Sequence, residues 1–480
     1  MGLENLKSKV LSGLLWRLGE LMTSQGVSFL VSLVLARLIA PNEYGVIALL
    51  MVFIEIANVF VVDGFGSALV QKKDADDLDF SSVFYFNLTL SVLIYIIFFF
   101  SSDFIANFYN NPNLSILLKV LTLKIVISSI NSIQHAHVQR HMAFKRFFFS
   151  TLVGTIISAV VGIFLAYHGY GAWALVFQYL INSTIDTIVL LITVHWYPKL
   201  MFSFNRLRSL FSFGWKILCS SLLHSIYTNL RTFVIGKVYS PSDLAFYNQG
   251  GRLPQMVSVN INSTISSVLF PAMSKAQDDK VQLKAMVRRA IKTSSYIIWP
   301  LLMGLAAVAD QIVDLLFSSV WLPCVPFLII SCFSGAFDPV QMANIQAVKA
   351  IGRSDTTLKM EFVKKTYGIL IIIATIPYGV MAVALGALSQ SLIALLVNTY
   401  PNRKYLNYSY REQVTDVFPP ILLSILMALI VHLGTLLMAG LSNIIVVLIS
   451  SLFGTVLYLV SMKLFVHDEY MYMKSLVKIG

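Results

Sequence analysis

Ionisable and polar side chains lie inside runs that are otherwise apolar, and their spacing is helical. Arg17, Glu20, Ser24 and Ser28 follow at steps of three or four, which puts them on one face of a helix. Ser221, His224, Thr228 and Arg231 make a second stripe. Glu55, Asn58 and Asp63 form a third group, and Arg252, Gln255, Asn260, Asn262 and Thr264 a fourth, beside Pro254. Lys124, Asp186 and Lys216 are further charges in apolar surroundings. Arginines here suit an anionic headgroup gripped by forked guanidinium donors. Partly buried carboxylates suit ion coupling, because such a group can take up and release a proton in the working pH range. A structural reading competes at each position: Glu20 lies three residues from Arg17 and could simply neutralise it, and Arg17 and Lys216 are near enough to run ends to snorkel. His135, His137 and His141 do not read as a metal site. On a helix the first two point about 200° apart, and no acid or cysteine stands beside them in sequence. Cys219, Cys324 and Cys332 lack disulfide or metal spacing, and no nucleotide-binding loop or nucleophile constellation is present.

The elements that must hold these residues follow from composition. Hydrophobic residues make up 57% of the chain and charged ones 12%, against roughly a quarter charged in soluble domains. Apolar runs near the ~20 residues needed to cross a bilayer recur throughout. There are fourteen, at 12–38, 44–66, 81–105, 114–136, 148–168, 172–196, 212–236, 245–270, 290–317, 323–348, 361–377, 379–400, 416–438 and 443–466. They do not alternate as outer-membrane strands do, so the expected class is an all-α polytopic membrane protein with fourteen transmembrane helices. An ionisable residue at the centre of such a helix costs roughly 2.5–3.5 kcal/mol. The polar faces must therefore meet partners or water, and spans one, two, seven and eight are expected to line a wet cavity.

The net charge of +12 is arranged by side. Lys7, Lys9, Lys72, Lys73, Arg140, Lys145, Arg146, Lys199, Arg206, Arg208, Lys349, Arg353, Arg403 and Lys404 fall on one side, while the other loops hold little beyond Arg37 and Lys237. The positive-inside rule then places both termini in the cytoplasm and requires an even number of spans. Charge of this kind is topological and gives no reason to expect nucleic acid. The first run follows Lys7 and Lys9 but is long, carries Arg17 and Glu20 and lacks a small-residue cleavage site, so it reads as a span and not a signal peptide.

LARLIAPNEYG at 35–45 has an echo in IGKVYSPSDLA at 235–245: a basic residue, a proline four on, an acid two beyond. The offset continues through Glu55 and Gln255, and through GSALV at 66–70 and SSVLF at 266–270, before drifting at GYGAWALV and PYGVMAVA. Six spans thus read as duplicated in one orientation, which is the architecture of alternating access. The expected divisions are a six-helix bundle at 1–200, an amphipathic cytoplasmic linker at 201–211, a pseudo-symmetric six-helix bundle at 212–404, and two appended helices with a tail at 405–480.

LARLIAPNEYGVIAL, DGFGSALVQKKD, NNPNLSILLKVLTL, QRHMAFKR, GYGAWALV and LFPAMSKAQDD resemble the Wzx-type polysaccharide flippases of the multidrug/oligosaccharidyl-lipid/polysaccharide exporter superfamily, nearest its colanic-acid-exporter-like branch. The resemblance implies a non-enzymatic carrier of undecaprenyl-diphosphate-linked oligosaccharide in the bacterial inner membrane, serving lipopolysaccharide O-antigen, capsule or exopolysaccharide assembly. It implies no cofactor, an ion gradient or membrane potential as the drive, and membrane lipids and other polysaccharide-assembly proteins as partners. The family's cationic cavity maps onto Arg17, Arg231 and Arg252, expected to hold diphosphate. Glu20, Glu55, Asp63, Lys124, His224, Gln255, Asn260 and Asn262 are expected to line the cavity or couple the ion. The acids make this cavity less purely basic than the family's. Alternatives are a drug or cation antiporter of the same superfamily and a lipid-linked peptidoglycan-precursor flippase. A membrane polymerase fits less well, since the loops opposite the basic side are short.

Overall fold

The computed structural model describes the backbone of residues 3–438 and 440–479; the side chains of residues 1–15, 17, 18, 63, 64, 213, 264, 268 and 476–479 lie outside the described ones. Every described element is helical. In chain order these are α1 (Leu3–Leu38), α2 (Pro41–Gln71), α3 (Asp77–Phe108), α4 (Asn113–Leu121), α5 (Leu123–His141), α6 (Lys145–Tyr167), α7 (Ala172–Val194), α8 (Phe204–Val238) and α9 (Pro241–Lys275). There follow α10 (Lys280–Ala307), α11 (Ala309–Phe317), α12 (Val325–Ala336), α13 (Asp338–Ala350), α14 (Ser354–Thr375), α15 (Val380–Leu406), α16 (Tyr410–Leu437), α17 (Asn443–Phe465) and α18 (His467–Ile479). Each apolar run coincides with one or two of them. Eleven described segments are long and apolar enough to cross a membrane. The runs that miss this standard are α8 and α9, whose sequences carry the charged and amide residues noted above, and α14, which opens with Asp355, Lys359, Glu361, Lys364 and Lys365.

The chain divides into two compact units, Met1–Ala245 and Phe246–Gly480, with the boundary inside α9. In the first unit α6 packs on α7 and α1, and α2 packs on α5 and α8. Close approach of α6 to α7 depends on small residues: a Cβ on Gly154 would lie 3.2 Å from the Asn182 carbonyl, and one on Gly162 would lie 3.2 Å from Gln178. At the end bearing the basic loops, Phe65, Phe80, Phe84, Phe147, Leu190 and Trp196 form a buried core. Leu207 and Leu210 join it, so residues 204–211 of the amphipathic segment form the first two turns of α8 and insert their leucines while Phe204 stays exposed.

In the second unit α10 packs on α12, α13 and α16, α15 on α13 and α14, and α17 on α16 and α18. Met273, Leu283, Val287, Ile291, Tyr408 and Val417 are central to its core. Here buried polar groups bond to one another: Asn344, Asn402, Thr399 and Gln413 share amide and hydroxyl hydrogen bonds of 2.6–3.3 Å. Nearby, Arg288 grips Asp416 with two bonds of 2.7 and 2.8 Å, Tyr408 donates to the same carboxylate at 2.8 Å, and Arg289 reaches Glu469 of α18 at 2.8 Å.

The fourth and tenth runs are each broken. Thr122 separates α4 from α5, its hydroxyl donating back to the Leu118 carbonyl at 2.8 Å. Phe337 separates α12 from α13, where Pro339 cannot donate to the turn before it.

Candidate functional site

Glu55 on α2 and Asn229 on α8 face each other in the first unit, and the Asn229 amide donates to the Glu55 carboxylate at 3.0 Å. The same amide donates to the Ser225 carbonyl one turn earlier at 3.1 Å, which fixes its direction. Lys124, near the start of α5, places its ammonium 5.3 Å from the centroid of Tyr179 on α7, and Glu55 is the acid whose charge acts on it. Arg231 is half-buried two residues beyond Asn229. Four residues beyond Asn229, Phe233 lies 6.3 Å from Phe53 and 6.0 Å from Tyr109, both edge-on. An ammonium, an amide, a carboxylate and aromatic rings are brought together here by α2, α5, α7 and α8, while Arg231 lies about 200° round α8 from Asn229. This is the chemistry of holding a polar, anionic ligand.

Glu20 is buried on α1 and accepts a hydrogen bond from the Thr151 hydroxyl of α6 at 3.3 Å. Arg17, its expected counter-ion, and Asp63 lie outside the described side chains. His224 is exposed on α8, and its carbonyl accepts from Thr228 at 3.0 Å.

The remaining expected residues belong to the second unit. Along α9, Gln255 and Asn260 are exposed while Arg252 and Asn262 are half-buried. Asn260 turns its amide back onto the Met256 carbonyl at 2.8 Å. The opposite side of α9 is packed, with Ser258 donating to the Gly335 carbonyl of α12 at 3.3 Å.

Sequence reasoning passed over Asn229, Tyr179, Thr151, Asn131 and the link between His135 and Asp186. The imidazole of His135 stands 3.6 Å from the Asp186 carboxylate; the acid missing beside the histidines in sequence comes from another helix. The available signal was spacing, since Ser225 and Asn229, Asn131 and His135, and Asn182 and Asp186 are each four apart in apolar runs. Among the described residues no three His, Cys, Asp or Glu side chains gather as a metal site.

A family model described as polysaccharide biosynthesis protein matches residues 34–326, taking in α2 to α11. The chain belongs to that family. The match includes Glu55, Lys124, His224, Arg231, Arg252, Gln255, Asn260 and Asn262, and leaves out Arg17 and Glu20. Relatives extend the likeness over most of the chain. The lipopolysaccharide biosynthesis protein WzxC of Escherichia coli K12 is 26% identical over 428 residues, 88% of this chain and 86% of its own length. The succinoglycan biosynthesis transport protein ExoT of Rhizobium meliloti 1021 is 23% identical over 373 residues, 78% of this chain and 73% of its own. Among solved structures, the lipid II flippase MurJ in an inward closed conformation covers 95% of this chain and 99% of its own, with a TM-score of 0.77 at 18% identity. That likeness is one of fold. Membership agrees with the resemblance carried by residues 35–49 and 63–74, and it makes the family a setting for binding and transport chemistry.

Proposed function

We propose that this chain is a flippase that carries undecaprenyl-diphosphate-linked oligosaccharide repeat units across the bacterial inner membrane by alternating access, for surface polysaccharide assembly. The observation that carries this reading is the family match across 34–326, joined to relatives named for polysaccharide biosynthesis that align over most of their own length. Fourteen spans, with both termini cytoplasmic, follow from the fourteen runs and the one-sided placement of Lys and Arg. Of the three more polar runs, α8 and α9 are spans whose polar faces serve the cargo, and α14 carries its charges at its cytoplasmic start. Arg17, Arg231 and Arg252 hold diphosphate. Asn229, His224, Gln255, Asn260 and Asn262 meet sugar hydroxyls, and the polyprenyl tail stays in lipid. An ion gradient or the membrane potential drives the cycle, with Glu20, Glu55, Asp63 and Lys124 as coupling groups.

The test is a deletion strain with no redundant exporter, from which lipid-linked glycans and surface polymer are recovered with and without a plasmid copy. Single repeat units should accumulate and surface polymer should vanish, both reversed by the plasmid, and the mass of the glycan names the cargo. Arg231→Ala and Arg252→Ala should fail to restore export at unchanged protein level. Glycans and polymer that do not respond to the deletion would turn the reading toward efflux of small cations.

A further inference from the structure

Asp186 lies eight residues before the end of α7, about 12 Å along the helix at ~1.5 Å per residue, inside a segment apolar enough to cross a membrane. One carboxylate oxygen accepts from the Asn131 amide of α5 at 2.6 Å and lies 3.6 Å from the His135 ring nitrogen, an ion-pair distance. The other oxygen, Oδ1, is buried without a hydrogen-bond partner, and so is the amide oxygen of Asn131. Ser150 of α6 neighbours the carboxylate but directs its hydroxyl to the Phe147 carbonyl at 3.2 Å. A buried acceptor without a donor is costly, and a proton on the carboxyl supplies the missing donor. His135 is oriented to exchange it. Its ring stacks on Phe147 at 4.5 Å and 28°, and its side chain is 38% exposed against 15% for Asp186. An exposed base therefore touches a buried acid.

The neighbouring charges are otherwise engaged. From α6, Arg146 donates to the Val194 carbonyl at 3.2 Å and Lys145 lies over Trp16. From α4, Lys119 meets Asp103. From α3, Asp77 and Asp79 hold Lys199 and Lys72. From α2, Glu43 caps the far end of α7 through the Ala172 N–H, Glu55 accepts from Asn229, and the Asp63 side chain is outside the described ones. On α5 itself, Lys124 stands over Tyr179, Arg140 caps α2 through the Leu69 carbonyl, and the His137 and His141 rings lie against each other, tilted at 4.2 Å.

We propose that Asp186 and His135, held by Asn131 and Ser150, form a proton-binding site inside the first unit whose occupancy changes during transport. The coupling part rests on the flippase reading, whereas proton binding itself does not. The experiment counts protons taken up by purified full-length protein between pH 8 and pH 5, for the wild type, Asp186→Asn and His135→Gln, with size-exclusion profiles to verify folding. The wild type should take up about one proton more than Asp186→Asn, because a coupled pair titrates as a unit; His135→Gln removes an imidazole of its own and should lose no more than Asp186→Asn does. An Asp186→Asn count equal to wild type would overturn the site. So would a wild-type count that disappears when sodium chloride replaces potassium chloride, which would assign the site to sodium. Affinity for undecaprenyl diphosphate is then measured across the same range. A tenfold dependence on pH in the wild type that flattens in Asp186→Asn supports coupling; equal pH dependence in the two overturns it. If undecaprenyl diphosphate does not bind at any pH, the flippase reading fails while the proton count stands.

Discussion

At the scale of single residues, the side chain with the most concentrated structural role is Asp416. It is 2% exposed and receives two bonds from Arg288, one from Tyr408 and the charge of Lys292 at 3.4 Å. Removing it strands cations and a buried phenol. Breaking a fully buried pair costs ~3–5 kcal/mol, but Arg288 is 45% exposed and water screens it. Asp416→Ala should therefore cost about 2–3 kcal/mol, visible as a lower unfolding midpoint in detergent, with Arg288→Ala costing less. Asp76, in the link before α3, depends on pH. The Asp79 backbone N–H and the nearby Arg206 guanidinium hold its carboxyl below 3.8. A depressed acid stabilises the fold above its unfolded value, and the contribution fades as pH falls through the lower, folded one. Amide exchange in residues 72–84, corrected for intrinsic rate, should thus accelerate below about pH 4, and Asp76→Asn should blunt that acceleration.

At the scale of elements, the echo between 35–45 and 235–245 has a physical meaning. The two corners touch. A Cβ on Gly45 would overlap the Pro241 carbonyl, and one on Gly236 would strike Leu49. Each motif therefore supplies a glycine that lets the opening turn of α2 approach the corner between α8 and α9. Overpacking typically costs ~1–3 kcal/mol, so Gly45→Leu should lower the unfolding midpoint by an amount in that range, and Gly66→Leu, with nothing within 4 Å of its Cβ, should not. The acids of the two motifs have diverged in use. Asp243 closes a cap with Ser240, accepting at 2.7 Å, whereas Glu43 accepts from Ala172 and caps α7.

At the scale of the whole molecule, the proposed topology sets Asn110 and Asp278 on opposite sides of the membrane. In a background where Cys219, Cys324 and Cys332 are replaced, an impermeant maleimide added to intact spheroplasts should label Asn110→Cys and spare Asp278→Cys until the membrane is opened. Labelling of both in sealed spheroplasts would contradict the odd number of spans placed between them. The second unit ends on α18, tied down by Glu469 between Arg289 and Lys292 and by Tyr472, over which the Arg289 guanidinium lies 2.9 Å from the ring centre.

The sequence alone determined the helical membrane class, because hydrophobic run length against bilayer thickness is a local property that each segment states for itself. It also determined the family, through ordered motifs such as LARLIAPNEYGVIAL, and the stripes on α1, α8 and α9, since helical spacing is visible without a fold. Partners were another matter. Glu20 stands one turn from Arg17 along its own helix, and Thr151 reaches it from α6, a partner that sequence spacing does not name. His135 had no acid near it in sequence and finds Asp186 more than fifty residues away. Glu55 meets Asn229 across α2 and α8. Only tertiary structure decided these pairings, because which faces of two helices meet depends on the packing of the whole bundle, and a periodic sequence fixes a face without naming the surface it will touch.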